Sequence, residues 1–202
     1  MTSIYLSTAY LAPIEYYQKM NAADMVFIEK NENYIKQTYR NRCVIASPNG
    51  RQTLSIPIEK SESPKCLIRD VRISNHDNWQ HIHWNAMVSA YNSTPFFEYY
   101  EDYFYSLYKT RPKFLFDFNE KLRSIICDLL DLDLSIKFTD TYAKDFVILE
   151  QDQRNDIHPK KPSNQPCFKP YYQVFDGKLG FQSNLSIVDL LFNMGPEAIL
   201  WL

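Results

Sequence analysis

The sequence predicts an α/β fold: a mixed sheet with an N-terminal strand–helix–strand unit and a β-hairpin, packed by a cluster of aromatic-rich helices. Three observations lead there. Residues 4–7 and 25–29 are short β-rich runs on either side of a helix opened by Pro13, with Ile14, Tyr17 and Met20 at helical spacing. Ser47-Pro48-Asn49-Gly50-Arg51 is the strongest turn signal in the chain and joins residues 42–46 to 52–58 as a hairpin. Three helical runs with many Tyr, Phe and Trp follow, between residues 74 and 130.

Within the hairpin, Leu54, Ile56 and Ile58 alternate and face the core. Residues 66–73 read as a further strand. Ser74 and Asp77 suit a capping box for a helix to about 91, and Thr94-Pro95 an N-cap with Pro at the first helical position, for a helix to about 108. A third helix, from about 113 to 130, carries Leu122, Ile125, Ile126, Leu129 and Leu130 on one face. Residues 134–139 read as a strand. Residues 150–170 are polar and rich in proline, a long loop or mobile segment in what otherwise reads as a single domain over residues 1–202. Residues 184–196 close the chain with a punctuated helix. Ser186 is its N-cap, Asp189 reaches back as in a capping box, Leu185 and Leu190 form a staple, Gly195 ends it and Pro196 stops it.

Composition limits the chemistry. Of 202 residues, 45% are apolar and 23% charged, as in an ordinary globular protein. A net charge of -2 provides no field favouring nucleic acid. No run approaches the roughly 18 apolar residues of a membrane span. The first residues lack a basic region and a long apolar segment, which argues against a signal peptide and for a cytoplasmic protein. The four glycines cannot spell a P-loop or a GxGxxG loop, and no cofactor is expected. Cys43, Cys66, Cys127 and Cys167 form no CxxC pair and read as buried, reduced thiols.

Candidate chemistry is concentrated in two places. Residues 34–42 are basic and interleaved with aromatics. Lys36, Tyr39, Arg40, Asn41 and Arg42 read either as an anion site with stacking surfaces or as a solvated loop with structural ion pairs. On a helix, His76, Trp79 and His83 share a face, but His76 and His83 stand roughly 10 Å apart, too far to hold one metal. His83 is then a general acid/base or a structural histidine stacked on Trp79. Residues 152–160 form either a lid that brings Arg154, His158 or Lys160 to a ligand or a solvated excursion. Asn184 precedes the N-cap of the last helix, where no rule of that helix requires it; a ligand contact from this motif is expected from Asn184 or from the helix N-terminus beside it.

Several residues and runs recur together. They are Tyr10-Leu11-Ala12-Pro13-Ile14-Glu15-Tyr16-Tyr17, Ala23-Asp24, Asn41-Arg42, Leu54-Ser55-Ile56-Pro57-Ile58 with Lys60, Trp79, His83, Ala90-Tyr91, and residues 184–196. In this order they resemble the WbqC-like family, as a compact branch with Thr8-Ala9 where many longer relatives carry Gln-Pro. The branch also has a shorter stretch over residues 140–170. The resemblance implies a role in making or modifying an activated sugar for O-antigen or other surface polysaccharides, and carries Asn41, Arg42, Trp79, His83, Asn184 and Asp189 over as family positions. Two functions follow as expectations. One is a transferase-type enzyme on a phosphorylated or nucleotide-linked sugar, with Arg40 and Arg42 on the anion, His83 moving a proton and Trp79 or Tyr39 stacking. The other is a non-catalytic binding or assembly protein that uses its aromatic helices as a partner surface.

Overall fold

The computed structural model describes residues 2–60, 65–163 and 168–202. β1 (Ser3–Ser7), α1 (Ile14–Asn21) and β2 (Met25–Glu29) form the expected parallel unit, with Ile4 beside Val26 and Leu6 beside Ile28. Pro13 stands at the N-cap with an extended ψ of 161°, and Ile14, Tyr17 and Met20 are buried beneath the helix. The four-stranded sheet is all parallel, in the order β5 (Ile136–Phe138), β2, β1, β6 (Glu150–Asp152).

β6 was not expected. Its residues, Glu150, Gln151 and Asp152, are polar and lie inside the stretch read as a loop. A three-residue edge strand needs no apolar face when one of its sides meets solvent. Its backbone pairs it with Ser3, Ile4 and Tyr5, and the Tyr5 hydroxyl donates to the Glu150 carboxylate at 3.1 Å.

β3 (Arg42–Ser47) and β4 (Gly50–Ser55) make the hairpin, with Ser47 opposite Gly50 across Pro48-Asn49. Gly50 takes φ 110°, which a residue with a Cβ rarely adopts. Leu54 and Ile56 are buried and Ile58 half-buried.

Residues 66–73 form no strand. Ile68, Val71 and Ile73 are the buried positions, a spacing that starts at three rather than two, and Ile68–Asp70 is a 3₁₀ turn. Among the described residues, single bridges, Asn33 to Leu67, Ile58 to Ile73 and Arg72 to Phe114, stitch the backbone of this stretch to its neighbours.

α2 (Trp79–Tyr91), α3 (Phe97–Tyr108) and α4 (Leu115–Leu129) appear where the sequence places them, but their starts differ. The Ser74–Asp77 box is absent: Asp77 and Asn78 have φ of 71° and 44°, and α2 begins only after them. Thr94 Oγ1 donates back to Tyr91 O, so α3 begins at Phe97. α5 (Asp176–Leu179) is one short turn, and α6 (Ile187–Met194) is the expected closing helix, followed by a 3₁₀ stretch Gly195–Trp201.

The helices share an aromatic core. Trp79 meets Phe118 edge-on at 5.6 Å, and Phe192 of α6 meets Phe97 and Phe104 at 5.1 and 5.5 Å. Buried residues from Ile4 to Ala198 form one cluster. Of the cysteines, Cys43 and Cys127 are buried free thiols and Cys66 is half-buried. Cys167 and residues 164–166 of the polar loop lie outside the described residues. No helix among the described residues is long and apolar enough to cross a membrane.

Candidate functional site

From β1 the chain steps through α1 to β2 and on to β5, then returns to the other side of β1 as β6. The order of strands therefore reverses between β1 and β6. Ligands of open parallel sheets bind outside the carboxyl ends of the strands at such a switch point, because the loops there diverge and leave a crevice. A shallow, open crevice lies there, lined by Ser7, Thr8, Ala9, Tyr39, Arg40 and Arg154 among others.

Two buried guanidinium groups build its floor. Arg40 is 3% exposed; its Nε donates to Glu32 Oε1 at 2.8 Å, and its Nη2 to Glu32 Oε2 and Ser7 Oγ, each at 2.6 Å. Arg154 is 4% exposed; its Nη1 reaches Glu29 Oε2 at 3.0 Å, and its Nε and Nη2 hold Asp152 at 2.8 and 2.7 Å. Its guanidinium lies 4.4 Å from the Tyr142 ring centre. Ser7 Oγ accepts from the Arg40 guanidinium and donates to the backbone Arg154 O at 2.9 Å, linking that guanidinium to the main chain at Arg154. Three carboxylates thus face two guanidinium groups, so the floor is polar and closely bonded rather than positively charged. The walls are a Thr8 hydroxyl donating to Glu120 Oε1 at 2.8 Å, the Tyr16 hydroxyl donating to Ser7 O, and the half-buried Tyr39 ring.

The C-terminal signature braces this loop. Ser186 Oγ donates to Leu11 O at 2.7 Å, Ile187 N–H to Ala12 O, and Ile14 N–H to Leu185 O. These bonds hold Leu11 at φ 40°, a strained setting for a residue with a branched side chain. Asn184, itself at φ 50°, accepts from the Glu15 N–H at 3.0 Å and donates to the Glu15 carboxylate at 3.2 Å. It is a cap for α1 supplied from the far end of the chain, which is the helix rule that local reading could not reveal.

Asp189 makes no capping box. It is fully buried and accepts from the hydroxyls of Tyr91 (2.9 Å) and Tyr171 (2.6 Å) and the Gln173 amide (2.8 Å). Burial holds its carboxyl above the ordinary value, and the three donors offset only part of that rise.

The eight residues singled out in the sequence thus part company. Tyr39 and Arg40 line the cleft. Lys36 is exposed on the same loop, and Arg42 is half-buried at the start of β3 with its Nε buried and unpartnered among the described residues. Asn41 turns inward, and its amide donates to Ile56 O.

His83 and Trp79 sit in the aromatic core, outside the cleft. His83 Nδ1 meets the Tyr10 hydroxyl at 2.8 Å, and the Ser55 backbone lies close enough to its ring to favour the protonated form slightly. Burial lowers its pKa to about 4, which leaves it neutral and enclosed rather than ready to move a substrate proton. Trp79 packs edge-on against it at 5.2 Å.

Sequence reasoning missed Ser7, Thr8, Ala9, Tyr16 and Gln153. The one available signal was the place of Ser7, Thr8 and Ala9 at the end of β1, of Tyr16 in the helix that follows and of Gln153 after β6, and without β6 there was no switch point to find.

Residues 8–156 match the model of the WbqC-like protein family. The chain is also similar to the uncharacterized protein Rv1507c of Mycobacterium tuberculosis (strain ATCC 25618 / H37Rv), with 23% identity over 210 residues covering 91% of this chain and 89% of that relative. No solved structure matches.

Proposed function

The chain belongs to the WbqC-like protein family, and on that premise we propose that its switch-point cleft binds the sugar of a phosphorylated or nucleotide-linked sugar, for a transferase-type reaction in surface-polysaccharide synthesis. The observation that carries this reading is the chemistry of the cleft lining. Ser7, Thr8, Arg40 and Gln153 offer hydroxyl, guanidinium and amide groups beside the rings of Tyr16 and Tyr39. Sugars are recognised by that mixture, with polar groups meeting the hydroxyls and an aromatic face covering the apolar C–H side. Arg40, already neutralised by Glu32, acts here as an oriented donor rather than as an anion clamp.

A thermal-shift panel of nucleotide sugars and sugar phosphates tests this. A ligand at about a hundred times its Kd stabilises by about 2.7 kcal/mol, a shift of about 5–10 °C for a chain of this size. Ala9→Met, which fills the cleft without touching its ion pairs, should abolish the shift. If no member of the panel moves the Tm of the unaltered protein, the sugar reading is wrong.

A second reading, a non-catalytic assembly protein, draws on one observation. Tyr99 and Tyr103, one turn apart on α3, are 74% and 53% exposed, and Ile82 on α2 is 55% exposed. Aromatic rings on an outer face favour a partner surface. Light scattering on a Tyr99→Ser/Tyr103→Ser variant separates the two: an assembly lost with those rings supports this reading, and a monomer throughout discards it.

A further inference from the structure

Asn184 and Glu15 close the place where a phosphate ordinarily binds in this topology. The helix after β1 usually presents free amides at the switch point. Here the Ile14 N–H donates to Leu185 O and the Glu15 N–H to Asn184 Oδ1, each at 3.0 Å. The Glu15 carboxylate, 3% exposed, occupies the same turn. An anion there would break two hydrogen bonds and meet a negative charge. The cleft floor, with its excess of carboxylates, is equally unsuited.

Positive charge without carboxylate partners lies on the outer side of the cleft. Residues 154–161 fold back onto residues 37–42. Lys160 Nζ donates to Gln37 Oε1 at 2.6 Å, Lys161 Nζ to Asn155 O at 2.9 Å, and Arg40 Nη2 reaches Asn155 Oδ1 at 3.4 Å. Half-buried His158 sits in the middle. Its pKa is lowered by burial and then by the charges of Lys161, Lys160, Arg40 and Arg42, with no carboxylate among the causes. Asp156, on the same segment, makes no ion pair among the described residues.

Of these four cations only Arg40 is paired to a carboxylate among the described residues. Lys160 and Lys161 hold neutral acceptors, and the Nε of Arg42 is buried with no partner among the described residues. The Lys160 backbone N–H donates to His158 Nδ1 at 3.0 Å, which leaves the imidazole proton on Nε2 as a further donor. Like charges brought together without counter-charges repel one another, and an anion among them removes that repulsion.

Resting on the reading of the cleft as a sugar site, we propose that Arg42, His158, Lys160 and Lys161 form a phosphate subsite at its rim. They take the phosphate or diphosphate of the ligand whose sugar lies inside. Three of the four lie beyond the residues matched by the family model, so the subsite is supplied by the segment after β6.

Calorimetric titration with inorganic pyrophosphate tests the subsite without any sugar. The unaltered protein and Ala9→Met should bind it alike, whereas Arg42→Gln/Lys160→Gln should bind at least tenfold more weakly. His158→Gln/Lys161→Gln provides a second pair should the first disturb the hairpin, with circular dichroism melts to show that each variant is folded. Pyrophosphate that does not bind, or that binds folded forms of both double variants as it binds the unaltered protein, overturns the subsite. Pyrophosphate binding together with a silent nucleotide-sugar and sugar-phosphate panel keeps the subsite and removes the sugar reading. A panel ligand that binds the double variants and the unaltered protein equally does the reverse.

Discussion

Burying His83 removes the imidazole from water, and against a smaller opposing pull from the Ser55 backbone this lowers its pKa from 6.5 to about 4. The folded protein then takes up a proton less readily than the unfolded chain does. Stability from this group is complete above 6.5 and is lost as pH falls from 6.5 toward about 4. The difference amounts to about 3 kcal/mol once pH is below 4. His83→Gln should therefore flatten the decline of Tm between pH 6.5 and 4, whatever it does to the Tm at neutral pH; an unchanged slope would remove His83 as the source. Tyr91 is a second residue whose hydroxyl sustains more than its own ring. It donates to Asp189 and accepts from the Ala46 N–H at 3.1 Å, joining α2, α6 and β3. Tyr91→Phe leaves both of those buried groups short of a partner and should cost about 1–3 kcal/mol in urea unfolding. Neither role was legible in the sequence. Spacing puts His83 beside Trp79, but only the fold brings Tyr10 and Ser55 to the imidazole or Tyr91 and Tyr171 to Asp189.

At the level of elements, local signals located most helices and strands and misjudged how they begin. Pro13 opened α1 as expected, because a fixed φ and a missing N–H cost nothing at a helix start. The two capping boxes read from Ser74 and Ser186 do not form. Each serine has a competing acceptor or donor in its surroundings, Leu11 O for Ser186 and the His76 N–H for Ser74. The cap that does form at α1 is 169 residues away in sequence, from Asn184 to Glu15. Asn184→Ala should cost about 1 kcal/mol and should raise amide exchange in the first turn of α1. An exchange pattern altered only around residues 184–187 would show that the cap does not secure α1. β6 is the complementary case, an element whose residues carry no strand signal and which exists because β1 has a free edge beside it.

Across the whole molecule, the return of the chain to β1 creates both the cleft and the segment that borders it. Arg154 ties that segment down through Glu29, which is fully buried and also accepts from Thr139, Asn31 and Ala143. A buried pair of this kind adds little net stability against an apolar replacement of both partners, but removing one partner strands the other charge. Arg154→Met should destabilise by about 3–5 kcal/mol and free residues 150–161 in hydrogen exchange before the rest of the chain; uniform loosening would mean that the pair does not anchor the segment. The sequence by itself determined the α/β class, the strand–helix–strand start, the hairpin turn and the family, because periodicity, Pro and Gly constraints and ordered motifs are local properties of the chain. Tertiary structure alone decided which residues line the switch-point cleft. Packing drew His83, Trp79 and Asn184 into the scaffold, and backbone pairing brought Gln153 and Arg154 beside Ser7 and Arg40 from more than a hundred residues away, by contacts that leave no pattern in either stretch.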